Sequence, residues 1–166
     1  MAYADGNHSE TTQSDASSPA ETAAPSLAQC GLAAAINLVG DRWTLLIIRS
    51  VLYGVTRFDH MQAELGLPRT VLSSRLRKLV DNGLLCRRPY KKAGQRTRHQ
   101  YVLTSKGMDL ALPLIALMQW GEKYLCETPP AAGIYERKKG APLHAGLISE
   151  DGRPVELRDA HFRLAG

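Results

Sequence analysis

The sequence predicts a mainly α-helical fold carrying one small β-hairpin, an α+β architecture, and three observations lead to that expectation. The 166 residues are 44% hydrophobic but only 6% aromatic, and the abundance of Leu and Ala favours helices over an aromatic-rich sandwich. Apolar residues between positions 31 and 126 recur at helical spacing, three to four residues apart. Only the stretch after Asn82-Gly83 breaks that period, giving two strand-like runs around a basic, Gly-containing loop.

In the first helix, near Gly31 to Val39, the apolar positions are Leu32, Ile36 and Val39, and Gly40 stops it. Asp41 is placed to N-cap the second helix, whose apolar face is expected from Trp43, Leu46, Ile47 and Val51, joined by Leu45 and Leu52, before Gly54 ends it. Phe58, Met61 and Leu65 mark a short third helix with Asp59 and Glu64 outward, and Gly66 supplies the permissive backbone of a sharp turn. A fourth helix begins at once, with Pro68 suited to its first turn, and stops at Asn82-Gly83. Leu84 to Tyr90 and His99 to Leu103 then read as the two strands of a hairpin whose tip, Lys91 to Thr97, is cationic. Thr104 or Ser105 is expected to cap one long helix carrying Leu110, Leu114, Leu117, Met118 and Tyr124 on a stripe, bent at Pro113 and ending near Cys126. A weak second hairpin turns at Glu150-Asp151-Gly152 between Leu147-Ile148 and Val155-Leu157. Helices three and four make a helix-turn-helix, and the hairpin behind them makes it a winged one.

Charge divides the chain into three parts. Residues 1–27 hold four acids and no Lys or Arg among Ser, Thr, Ala and Pro, an acidic disordered leader. It has neither the basic start and apolar core of a secretory signal nor the Arg content of a transit peptide, so a cytoplasmic location is expected. Residues 28–126 sum to +9 and residues 127–166, a C-terminal extension, to zero, so the overall +5 understates the middle. No apolar stretch reaches the roughly 18 residues of a membrane span, and no membrane partner is expected. A clustered positive field calls for an anionic partner, and duplex DNA fits a winged helix-turn-helix.

Setting Leu72 toward the core, the 100° step of a helix turns Leu76 and Leu79 inward and Thr70, Ser74, Arg77 and Lys78 outward, with Arg69 and Ser73 at the flanks. Arg69, Thr70, Ser73 and Ser74 suit base edges in a major groove, and Arg77 and Lys78 suit phosphates farther along. Arg75 lies at the margin, where it either reaches phosphate or pairs with an acidic neighbour. The hairpin adds Arg87, Arg88, Lys91, Lys92, Arg96 and Arg98 without one acid. Such a wing repels itself unless it meets a polyanion, the bland alternative being a merely solubilising hairpin. It would track the backbone, with Arg96 or Arg98 entering the neighbouring minor groove.

Six blocks in order sharpen this reading: Ala35 to Arg49 (containing Gly40-Asp41-Arg42-Trp43-Thr44-Leu45), Arg57-Phe58-Asp59, Leu72 to Leu79, Asp81-Asn82-Gly83-Leu84, Tyr101 to Gly107 and Trp120-Gly121. Together, from Cys30 to about Leu125, the chain resembles the HxlR-type winged helix-turn-helix regulators. The resemblance implies a bacterial homodimer that binds a palindromic operator, most often as a repressor, and dimerises through its terminal helices. Pro68 departs from the Ser or Thr cap usual at the start of the recognition helix.

Cys30, Cys86 and Cys126 have no C-x-x-C spacing and no paired His, so neither a metal nor another cofactor is expected. Cys30 opens the first helix, where peptide dipoles favour a thiolate, and it matches a cysteine found in HxlR-type redox sensors. A thiol-reactive sensor and an inert helix-start residue both remain open for it. Cys126 can meet Cys30 of a second subunit if the terminal helices pack together. The rival signal is a small-molecule effector held by Trp43, Met118, Trp120 and Tyr124, residues equally suited to core packing. A winged-helix module for protein contacts is the other reading of the fold, although it predicts an apolar or acidic fourth helix and a neutral wing. No triad, carboxylate pair, metal motif or phosphate loop suggests an enzyme.

Overall fold

The computed structural model describes residues 26–91, 97–130 and 132–161. A 3₁₀ turn at Leu27–Gln29 leads into α1 (Gly31–Val39), followed by α2 (Arg42–Leu52), α3 (Phe58–Leu65) and α4 (Arg69–Asp81). The antiparallel strands β1 (Leu85–Tyr90) and β2 (Arg98–Leu103) come next, then α5 (Ser105–Met108), α6 (Ala111–Leu125) and a small hairpin of β3 (Leu147–Ile148) with β4 (Pro154–Val155). This is a winged helix fold. Among the described residues no single helix is long and apolar enough to cross a membrane.

The core gathers one face from each of α2, α3, α4 and α6. Ile47, Ile48, Val51, Met61, Leu67, Leu72, Leu76, Leu79, Leu84, Leu85 and Leu114 are all buried together. Leu72, Leu76 and Leu79 lie inward on α4, as their spacing requires.

On α2 the buried set differs from the expected one: Thr44, Ile47, Ile48, Ser50 and Val51 face inward, whereas Trp43 and Leu46 are half-buried. Two hydroxyls can be buried because both are satisfied. Thr44 Oγ1 donates to Asp41 Oδ2 at 2.5 Å and Ser50 Oγ donates to the Leu46 carbonyl at 3.0 Å. Asp41 also accepts the Thr44 amide at 3.1 Å, completing the expected N-cap.

The expected long helix after β2 is in fact two. Thr104 caps only α5, accepting the Gly107 amide at 3.1 Å and donating to the Gly83 carbonyl at 2.6 Å. Gly107 lies so close to the backbone just before β1 that a Cβ there would stand 2.1 Å from the Leu84 carbonyl oxygen. Pro113 does not bend a helix interior. It occupies the third position of α6, where an amide has no intrahelical partner, and the first i to i−4 bond of the helix runs from Leu114 to Leu110. Of the expected stripe only Leu114 is buried; Leu117 and Tyr124 are exposed.

Pro68 stands at the N-cap of α4 with ψ of 141°, one residue before the helix, and no side chain caps it. The second hairpin forms where expected, but its return strand is Pro154–Val155, and Leu157 belongs to a 3₁₀ turn. The segment around Leu143 and Ala145 is tied to α6 by Gln119, which donates to the Leu143 carbonyl and accepts the Ala145 amide. The leader up to residue 25 lies outside the described residues.

Candidate nucleic-acid interface

The turn between α3 and α4 is set by Gly66, whose φ of +63° belongs to the left-handed region that residues with a Cβ disfavour. Its amide closes α3 on the Gln62 carbonyl, and Leu67 inserts into the core, so α4 leaves at a fixed angle. Arg69, Thr70, Ser73, Ser74 and Arg77 are exposed on α4, and Lys78 is half-buried. The side chains assigned to base edges thus open on the N-terminal half of the helix.

Arg75 resolves differently from its neighbours. It is half-buried, and its guanidinium lies 3.3 Å from Asp41 Oδ2, tying α4 to the N-terminus of α2. Burial alone would raise the Asp41 carboxyl, yet hydrogen bonds from the Thr44 hydroxyl and amide, with Arg75 and Lys78 nearby, together hold it below the usual aspartate value.

In the wing, β1 and β2 pair Arg87 with Tyr101, Arg88 with Gln100 and Tyr90 with Arg98. Thr56 and Arg57 extend this ribbon: the Tyr101 amide donates to the Thr56 carbonyl at 2.8 Å, and Arg57 bridges Gln100. Arg87, Arg88, Lys91 and Arg98 are exposed. Lys92 and Arg96 lie outside the described residues.

Several arginines rest against a ring or a carboxylate. Arg57 lies 4.6 Å above Tyr90, Arg69 4.9 Å above Phe58 and Arg87 5.9 Å from Tyr101. Asp59 joins two of the elements, with Oδ1 3.8 Å from Arg69 and Oδ2 3.2 Å from Arg98. These groups border a groove of about 500 Å³ between α3, the start of α4 and the loop-side end of the β1–β2 wing, lined by Phe58, Asp59, Arg69, Tyr90, Arg98, His99 and Tyr101. The sequence marks Arg57-Phe58-Asp59 as a block of the family resemblance and Asp59 as an outward acid, but gives neither Arg57 nor Asp59 a place on the DNA-facing surface; the adjacency of the three at the helix start is the available signal.

Cys30 is half-buried at the N-cap of α1, its side chain making no cap bond; Cys86 is half-buried opposite Val102, and Cys126 is exposed at the C-cap of α6. Among the described residues no group of His, Cys, Asp and Glu is arranged to hold a metal. The four residues suggested for an effector are dispersed. Met118 lines a cavity of about 210 Å³ with Arg49, Leu52, Tyr53, Ile115 and Ile134. Trp120 and Tyr124 are exposed and meet with tilted rings, their centroids 5.8 Å apart, while Trp43 packs against the core.

Comparison with known proteins agrees with this geometry. Residues 38–129 match the model of a family described as HxlR-like helix-turn-helix. An uncharacterized HTH-type transcriptional regulator of Mycobacterium tuberculosis is 51% identical over 98 residues, 58% of this chain and 61% of the relative. The chain therefore spans about three-fifths of that relative's length. Another, from Methanothermobacter thermautotrophicus, is 30% identical over 96 residues, covering 57% of this chain and 72% of its own. Among solved structures, the candidate transcription factor PA1607 is similar with a TM-score of 0.68 and 34% identity, covering 81% of this chain and 94% of that one. The reduced form of the redox regulator HypR shares the fold alone, with a TM-score of 0.51 and 20% identity over 57% of this chain and 92% of its own.

Proposed function

The chain belongs to the HxlR-like helix-turn-helix family, and from that premise we propose that it is a homodimeric regulator of transcription that binds duplex DNA sequence-specifically, as a repressor on a palindromic operator. The observation that carries the proposal is the junction at Asp59, which brings the N-terminal end of α4 and the loop-side end of the basic β1–β2 wing within ion-pair distance of one carboxylate. With α4 in the major groove, Arg69, Thr70, Ser73 and Ser74 meet base edges, Arg77 and Lys78 meet phosphate, Arg87, Arg88, Lys91, Lys92 and Arg96 follow the adjacent backbone, and Arg98 reaches a base edge in the minor groove. Arg75 serves the fold through Asp41.

Dimerisation is supported by apolar surface that one chain leaves open. No residue of α1 is buried, and Leu32, Ile36, Leu117, Trp120, Tyr124 and Leu125 are each more than half exposed. An all-apolar cavity of about 220 Å³ between α1 and α6, lined among others by Leu32, Ile36, Val39, Leu114 and Leu117, offers a seat for a partner's side chains.

Its place at the start of this exposed helix supports Cys30 as the input for a thiol-reactive signal. Diamide should then release DNA from the wild type but not from Cys30→Ser. If diamide leaves wild-type affinity unaltered, a non-covalent effector replaces the thiol signal. Footprinting on the intergenic DNA upstream of the gene tests the main reading. Protection of an inverted repeat, with loss of reporter transcription, is expected; uniform weak protection would rule it out.

A further inference from the structure

We infer that Asp59 is a specificity-determining residue of the DNA-binding face: its carboxylate brackets Arg69 and Arg98 together, presenting them to base edges while withholding them from phosphates. The inference rests on the DNA-binding reading above and adds to it a role for an acid in a field of positive charge. Between Arg57 and Arg98 the chain carries eleven basic residues against Asp59, Glu64 and Asp81. Glu64 pairs at 2.8 Å with Arg49 on α2, and Asp81 ends α4, at the opposite end from Arg69. Asp59 is the acid that lines the groove between the recognition helix and the wing.

The geometry gives this placement a chemical consequence. The Arg69 guanidinium lies beside two groups, the Asp59 carboxylate at 3.8 Å, an ion pair too long for a hydrogen bond, and the Phe58 ring with its centroid at 4.9 Å. A guanidinium has five N–H donors, so an arginine with a carboxylate beside one edge still offers another to the O6 and N7 acceptors of a guanine. A neutral base edge is compatible with the carboxylate next to it, whereas a phosphate must compete with Asp59 for the same arginines and is repelled by it. Non-specific binding arises almost wholly from phosphate contacts. Asp59 therefore penalises random DNA more than it penalises the operator.

Asp59→Asn tests this, with Asp81→Asn as the control for simple loss of a negative charge near the DNA. Each protein is titrated by fluorescence anisotropy at fixed salt with two duplexes, one enriched by the wild type from a random-sequence library and one of shuffled sequence. Exposed ion pairs each contribute a few-fold at most, so Asp59→Asn should tighten the shuffled duplex by about three- to tenfold. It should change the enriched one by less than about twofold, so the ratio of the two affinities falls. Asp81→Asn should move both duplexes equally, and in an Arg69→Ala background the effect of Asp59→Asn on the ratio should shrink. Equal tightening of both duplexes by Asp59→Asn overturns the inference, as does a weakening confined to the enriched duplex, which would make Asp59 itself a DNA contact. Failure of the wild type to enrich any sequence would instead strike the DNA-binding reading, so the two failures are distinguishable. Matching melting temperatures confirm that the exposed substitutions leave the fold intact.

Discussion

Replacing Asp41 by Ala removes three contacts at once: the cap on the Thr44 amide, the hydrogen bond from the Thr44 hydroxyl, and the ion pair that ties Arg75 of α4 to the start of α2. Loss of an N-cap costs about 1 kcal/mol. The Arg75 pair is only partly buried and adds roughly 0.5 kcal/mol. Thr44 is buried, so its abandoned hydroxyl costs about 1 kcal/mol more unless it finds a carbonyl. The expected total is about 1.5–2.5 kcal/mol, a fall in Tm on the order of 6–15 °C for a folded region of about 100 residues. Thermal melts at fixed protein concentration read this directly. Asp41→Asn should cost only about 0.5–1 kcal/mol, because Asn also caps well. The depressed carboxyl gives the pH dependence its sign: its contribution is complete above the ordinary value of about 3.9 and fades as pH falls through the folded value. The gap between wild type and Asp41→Asn should thus close in acid. A neutral Asp41→Ala, or an Asp41→Asn as damaging as Asp41→Ala, would refute the cap argument. Arg75→Ala that flattened the salt dependence of DNA binding would return Arg75 to the phosphate role.

Further outcomes follow from the same geometry. Arg69→Ala or Ser73→Ala should relax base preference, each good base contact contributing about 1–3 kcal/mol of discrimination, whereas Lys91→Ala with Lys92→Ala should weaken binding to every sequence and lower the salt slope by about two; binding titrations over a range of salt separate the two classes. Ile36→Glu or Leu117→Glu should yield monomers in sedimentation and weaken operator binding, while an unchanged dimer would remove α1 and α6 from the interface. Gly107→Ala should destabilise the fold by more than about 1 kcal/mol because its Cβ would collide with the Leu84 carbonyl; denaturant melts measure it, and a neutral result would mean that α5 shifts away from β1 without cost.

Most of the α4 surface is legible because one anchor, Leu72, and a constant angular step assign the positions; Arg75, at the margin of that face, is decided only by its distant partner Asp41. Thr44 and Ser50 were not legible as core residues, since their burial depends on hydroxyl partners at Asp41 and Leu46 that hydrophobic periodicity ignores. Pro113 was misjudged because a proline three residues into a helix and one inside it look alike until the preceding break at Asp109-Leu110 is located. Leu117 and Tyr124 read as core for a different reason: an apolar stripe has the same spacing whether it faces its own chain or a second one. Arg69 and Arg98 meet Asp59 from distant parts of the chain, so their junction exists only once the wing has folded back against α3.

Sequence-specific DNA binding is decided by selecting duplexes from a random-sequence library with the full chain and measuring their affinities at fixed salt. An inverted repeat with half-sites about one helical turn apart should be enriched and bound at least about 10³-fold more tightly than shuffled DNA. Enrichment of no sequence, or an affinity ratio near one, would contradict sequence-specific binding.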